Sequence, residues 1–343
     1  MQNKATGQER KGLEMSVKLE LQDLFVTVQD DLARVDAQVR AAAEVDYPLL
    51  AAVVNDIVSA GGKRMRPSLM LLLARALDHD PERIITAAAA SELLHIAGLV
   101  HDDLIDHADT RRGAPTLNSL FSDGTVILIG DYLFAQAART AARTGSTRVM
   151  DVFGRILAEI TDGQLSEIFK AHNAEQTIEE YERRIYGKTA SLFAGSAEIA
   201  AVLCEVPEEQ IQAARQYATD LGIAFQIIDD VLDIRETSET LGKPAGSDLR
   251  QGTVTLPMLY YIGNGHNPDG VALVRRAIVG DDITEAEYDA AITELRQSDV
   301  LRKSLDAAIR YVDHAKAALM VLPSSEARDT LQALADFAVE RHR

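Results

Sequence analysis

Two stretches of this sequence put aspartates where a helix ordinarily buries leucine. SELLHIAGLVHDDLIDHAD carries Asp102, Asp103 and Asp106, and LGIAFQIIDDVLDIRE carries Asp229, Asp230 and Asp233. Both have the form DDxxD within apolar sequence of helical period. Residues four apart share a helix face, so Asp102 lies over Asp106 and Asp229 over Asp233. Such like charges repel by about 0.2–0.5 kcal/mol even in water. Burial without a partner costs far more. One cluster alone reads as readily as a solvated face or a cap. Two of them, far apart in the chain and both flanked by apolar helix, point to clusters that face each other across a bound divalent cation. Hard carboxylate oxygens suit magnesium, which takes one or two of them and fills its shell with water and substrate phosphates. A diphosphate meets that demand.

The rest of the chain is patterned as helix. Apolar spacing predicts helices over 19–39, 68–77, 84–106, 125–144, 147–170, 178–204 and 208–237. Shorter ones follow around 253–262, 270–279, 284–297, 301–321 and 325–341. Abundant Ala and Leu favour helix, and no strand-length alternation stands out. Gly and Pro mark breaks at Gly61-Gly62, Asp80-Pro81, Gly113 to Pro115, Val206-Pro207, Gly242 to Gly252 and Asn264 to Gly270. None is a low-complexity linker. Residues 19–343 are therefore expected to form a single all-α domain, preceded by a polar, flexible segment over 1–18.

Charge narrows the partners. With 53 acidic and 35 basic side chains the net charge is −18, which excludes nucleic acid or an anionic membrane surface as the main partner. Cys204 is the only cysteine, so no disulfide forms within the chain and a reducing, cytoplasmic setting is expected. The polar N-terminus lacks a signal-peptide core. No apolar run reaches the roughly 20 residues a membrane span needs.

A diphosphate enzyme also needs cations, and they cluster at the breaks. GGKRMRP supplies Lys63, Arg64 and Arg66 on a glycine-hinged turn, and DTRRGAPT supplies Arg111 and Arg112 just past the first acidic run. Lys188 and Thr189 sit in IYGKTASLFAG, and GKPAGSDLRQG carries Lys243, Asp248 and Arg250 after the second acidic run. Lys and Arg neutralise an anion while glycines let backbone N–H groups approach it. Together the groups read as two diphosphate sites, one bridged by metal and one held by side chains alone.

With GGKRMRP, LVHDDLIDHADTRRGAPT, GDYLF, KTASLFAG, FQIIDDVLD and GKPAGSD in this order, the chain resembles the trans-isoprenyl (polyprenyl) diphosphate synthase family over residues 20–340. It is most like the medium- and long-chain members. The resemblance implies an all-α bundle around a deep central cavity, of the isoprenoid synthase type, assembled as a homodimer. It implies magnesium, about three ions per active site, held chiefly by Asp102, Asp106 and Asp229. Asp103 and Asp233 would form the outer shell, with Asp230 completing the catalytic set. Lys63, Arg66, His95 and Arg112 resemble the contacts to isopentenyl diphosphate. Arg111, Lys188, Thr189, Gln226 and Lys243 resemble those to the allylic diphosphate. A lone histidine on an apolar helix is more often packed core, so His95 enters through the resemblance alone.

The implied reaction is a 1′-4 trans condensation that lengthens an allylic diphosphate by one five-carbon unit, with magnesium as cofactor. Two departures stand out. Many members carry a lysine two residues before TLP, where this chain reads GTVTLP, and an EGE-type run where it has Asp162, Gly163 and Gln164. Product length follows from the residues below the first cluster. Gly98 and Leu94 lie one and two turns before Asp102, with Ala97 beside them. Short-chain members commonly block this shaft with Phe or Tyr four or five residues before the first aspartate. Gly98 and Ala97 leave it open, which suggests a product of about C30 or longer for a quinone side chain. Such a lipid product would bring the enzyme transiently to membranes. A geranylgeranyl diphosphate synthase is the alternative within the family, and a non-catalytic subunit of a heteromeric synthase the alternative outside that activity.

Overall fold

Helices form where the apolar period runs, and they stop where caps and turns intervene. The computed structural model describes residues 21–44, 48–59, 62–111, 114–236, 245–263 and 267–340. The expectations for residues 1–18, for Arg112 and for Lys243 lie outside these. A short α1 (Leu21–Leu24) and a 3-10 turn lead into α2 (Gln29–Ala42), so the expected first helix is interrupted. Next come α3 (Pro48–Ser59), which was not anticipated, and α4 (Met65–Ala76). α5 (Glu82–Ile105) starts after Pro81 and is capped by Asp106, whose N–H donates to Asp102 O at 2.8 Å. A hairpin pairs Thr110 with Pro115 and Arg111 with Ala114. Then follow α6 (Asp123–Ala142), α7 (Thr147–Lys170), α8 (Ile178–Ile185), α9 (Ser191–Leu203) and α10 (Glu208–Arg235). Helices Ser247–Arg250, Leu256–Gly263, Pro268–Val279, Glu285–Gln297, Val300–Ala318 and Glu326–Glu340 complete the described chain. The architecture is all-α, as expected.

α5 corrects one expectation. By length and composition it is apolar enough to cross a membrane, although the sequence reading found no such run. Its apolar window is 72% buried inside the bundle, and a helix that is apolar all round is a core helix when protein covers it. It packs against α2, α4, α6 and α9. α10 packs against the other side of the assembly, on α9 and on Val300–Ala318. Both acidic helices thus share α9 as a neighbour, and both carry their aspartates at the C-terminal end.

The expected continuous helix over 178–204 is broken by a π turn at Tyr186–Ala190. Such a bulge inserts a residue into the helical ladder, and it commonly marks a functional site. Ser191 Oγ donates to Gly187 O at 2.6 Å across it. Glycines on both sides allow the turn to be gripped at backbone contact. A Cβ on Gly163 of α7 would stand 2.4 Å from Lys188 N, and one on Gly222 of α10 would stand 2.7 Å from Ala190 Cα. A Cβ on Gly187 would meet Glu159 O at 2.8 Å. The glycine of the run that departs from the EGE-type pattern is therefore a packing requirement of the turn that carries Lys188.

Alanine substitutions separate this role from helix propensity. Gly154, also in α7, is exposed with open space around it, so Gly154→Ala should stabilise by up to about 1 kcal/mol. Gly163→Ala and Gly222→Ala should instead destabilise by about 1–3 kcal/mol through overpacking and lower turnover. Thermal melts and product assays report both. A rise in melting temperature for Gly163→Ala would contradict the packing account.

Candidate active site

The first acidic cluster meets the π turn. Lys188 forms an ion pair with Glu167 of α7, and it lies in the electrostatic field of Asp102 and Asp106. Burial works against the Lys188 charge, but Glu167, Asp102 and Asp106 together outweigh it and hold the ammonium above the ordinary lysine value. The carboxylates feel the reverse. Burial pushes Asp102 up to about 6, with Asp106 and Glu167 adding to the shift and Lys188 and Arg111 opposing it. Burial also raises Asp106, again with Lys188 as the strongest opposing charge. Asp103 faces elsewhere. It is buried and accepts a hydrogen bond from Arg111 Nε at 2.7 Å.

The second cluster joins the same turn through Thr189. Thr189 Oγ1 donates to Gln226 Oε1 at 2.8 Å, and Gln226 Nε2 donates to Asp230 Oδ1 at 2.8 Å. Tyr181 of α8 donates its hydroxyl to Asp230 Oδ2 at 2.7 Å. Burial raises Asp230, and the Tyr181 and Gln226 hydrogen bonds and the Arg184 charge work against that shift. Asp233 is 2% exposed and tethers the returning loop. It accepts from Ser247 Oγ at 2.7 Å and from Asp248 N–H at 3.1 Å, while Gly246 N–H donates to its backbone oxygen at 2.9 Å. Asp229 is the half-buried member of the three. Asp103, Asp230 and Asp233, grouped with the catalytic aspartates on sequence, are thus each engaged in shaping a neighbouring element.

The basic turn divides its cations. The Arg66 guanidinium stacks over Phe193 at 4.3 Å, and Lys63 Nζ lies 5.8 Å from the Phe225 ring centroid. These rings are 6.1 Å apart, on α9 and α10. Burial lowers Arg66 to about 10, against the pull of Glu92, so it stays charged at neutral pH. Arg64 turns instead toward α2, α3 and α5. Arg250 likewise pairs with Glu285 and Asp289 rather than with the acidic clusters. His95, Arg64, Asp103 and Arg111 line a cavity of 430 Å³ whose other walls include Leu99 and Leu117. Of the shaft residues, Gly98 has open space where a Cβ would be, whereas Leu94 and Ala97 are 1% and 0% exposed.

Sequence reasoning missed three residues here. Glu167 is the direct partner of Lys188, four residues after Gly163. Tyr181 and Arg184 lie in EEYERRIYGKT just before the π turn, and they act on Asp230 through a hydrogen bond and a charge. Arg184 is 3% exposed and donates to Val254 O at 2.5 Å, in the GTVTLP run that lacks the family's lysine.

The donor set fits magnesium. Asp102, Asp106 and Glu167 crowd negative charge around a single lysine, which a divalent cation would relieve. Among the described residues no three His, Cys, Asp or Glu side chains converge as a ready metal cage.

Comparison with known proteins agrees with this geometry. The sequence matches the family described as Polyprenyl synthetase over residues 47–295. It is 38% identical over 323 residues to a Geobacillus stearothermophilus protein named heptaprenyl diphosphate synthase component 2, covering 94% of this chain and 99% of that one. It is 34% identical over 328 residues to the octaprenyl diphosphate synthase of Escherichia coli K12, covering 95% and 100%. The crystal structure of a decaprenyl diphosphate synthase from Rhodobacter capsulatus superposes with a TM-score of 0.89 at 35% identity, covering 94% of this chain and all of that one. On this evidence the chain belongs to the polyprenyl synthetase family.

Proposed function

We propose that this protein is a magnesium-dependent prenyltransferase that condenses isopentenyl diphosphate with an allylic diphosphate. The observation that carries the proposal is the π turn, which sets Lys188 beside Asp102 and Asp106 and hydrogen-bonds Thr189 to Gln226 one turn before Asp230. Asp102, Asp106 and Asp229 would hold about three magnesium ions. When bound, magnesium supplies Lewis-acid stabilisation of charge on the departing diphosphate.

The chain's own residues do the rest. Lys188 and Arg111 add fixed positive charge on the allylic diphosphate, where negative charge develops as its C–O bond breaks. Thr189 and Gln226, locked together by their hydrogen bond, present oxygen dipoles toward the allylic carbon, which becomes positive. Lys63 and Arg66, with His95 and Arg112, hold isopentenyl diphosphate without metal. The double bond of isopentenyl diphosphate attacks the allylic carbon, and the proton lost from the adduct passes to the released diphosphate. Burial of the paired substrates excludes water that would capture the cation.

The product is assigned as a polyprenyl chain of about C30 or longer, supported by the hepta-, octa- and decaprenyl names of the relatives and by the open space at Gly98. Leu94 and Ala97 are packed in this structure, so Gly98 is the position where a bulky side chain would block growth. A homodimer is the assembly the family resemblance implies, and exposed Leu128 on α6 and Phe169 on α7 (69% and 81%) are candidates for its contact. The relative named as component 2 gives a second reading, a heteromer. Light scattering on the purified chain separates them, since a homodimer with full activity needs no second component.

Asp102→Asn and Asp229→Asn should each lower kcat by at least about a hundredfold while leaving circular dichroism and melting cooperativity intact. Wild-type turnover in either variant would remove the metal assignment. Gly98→Phe should shorten the product at near-normal consumption of the first isopentenyl unit, read by chromatography of dephosphorylated products. An unchanged product length would show that the chain grows elsewhere.

A further inference from the structure

Arg64 stands between the two cations of the basic turn and makes different direct contacts, sharing with Arg66 only the charge of Glu92. Its backbone is left-handed, with φ 47° and ψ 30°, a conformation that few residues other than glycine adopt. From this position its guanidinium joins three helices. Nε lies 2.8 Å from Asp36 of α2, Nη2 donates to Val58 O of α3 at 3.2 Å, and Nη1 donates to Glu92 of α5 at 2.5 Å. The Glu92 side chain is 4% exposed and that of Arg64 is 15% exposed. Arg64 O in turn accepts from Ser68 N–H at 3.0 Å and Ser68 Oγ at 2.8 Å, closing the first turn of α4. The flanking Lys63 and Arg66 reach α9 and α10 instead, over Phe225 and Phe193. A residue held on one side by three helices fixes the register of its neighbours on the other. Glu92 is also three residues from His95 on α5, so the same anchor ties the turn to the histidine expected in that site.

We propose that Arg64 is a positioning residue for the isopentenyl diphosphate site: its ties to Asp36, Val58 and Glu92 hold the turn so that Lys63 and Arg66 are pre-placed for a diphosphate. The inference rests on the reading of Lys63 and Arg66 as isopentenyl diphosphate contacts. It predicts a split between the two substrates, because Lys188, Thr189 and Gln226 are held by Glu167 and Asp230 rather than by the ties of Arg64.

The test uses Arg64→Gly, which keeps the left-handed backbone available and removes only the side-chain ties. Arg64→Gly/Glu92→Gln guards against a stranded buried carboxylate, and Arg66→Ala serves as a control on the underlying reading. The expected result is a KM for isopentenyl diphosphate raised between about ten- and a hundredfold, with kcat and the KM for the allylic primer within about twofold. Arg64→Lys should recover only part of the loss, since an ammonium cannot span three partners. Folding is checked by circular dichroism and melting. A normal KM in the double variant, with a raised KM in Arg66→Ala, would overturn the role of Arg64 and leave the site reading intact. A normal KM in both would remove the site reading and the proposal with it. A parallel shift of both KM values and kcat would show general loosening of the bundle, which also overturns it.

Discussion

The site depends on one electrostatic balance, that between Lys188 and the carboxylates of Asp102, Asp106 and Glu167. Burial alone would neutralise some of these groups. Placed together they sustain one another: the acids hold Lys188 charged, and Lys188 opposes the upward shift of Asp102 and Asp106. The balance requires that Lys188 be delivered to the end of α5 from a different part of the chain. The π turn does this, and it reaches that place because Gly163 and Gly222 let α7 and α10 close on it at backbone distance. Packing without side chains at two points thus sets the charge geometry at a third.

The six aspartates divide their work within each run. Asp103 pairs with Arg111 and orients the hairpin, Asp230 is held by Tyr181 and Gln226, and Asp233 fastens the loop that returns after α10. Each DDxxD run therefore contributes carboxylates to the scaffold as well as to the centre. This explains why clustered acids are tolerated in apolar helices: several are satisfied by neutral donors or by arginine, so fewer charges need a metal.

Much of this was legible in the sequence, and the omissions have a common cause. Helical period marked α7 over 147–170 to the residue and placed both acidic runs at helix ends. The π turn was invisible because the helix after it, Ser191–Leu203, is buried on nearly every side and offers no apolar phase against which an extra residue would show. α3 was missed because PLLAAVVNDIVS is apolar almost throughout and shows little periodic contrast. Glu167 looked like one more charge on the polar side of an amphipathic helix. Arg64 was grouped with Lys63 and Arg66 because composition names the cations of a turn without saying which way each one points. In every case residue type was readable and the direction of the side chain was not.

What the pairing of Lys188 with Asp102 and Asp106 is for is decided by whether the chain performs elongation. The direct measurement is a product assay with the purified chain alone, magnesium, labelled isopentenyl diphosphate, and farnesyl or geranylgeranyl diphosphate as primer. Magnesium-dependent conversion to a dominant product of about C30 or longer is expected. A product that stops at geranylgeranyl diphosphate would keep the reaction and contradict the chain length. No elongation of either primer would contradict the central claim.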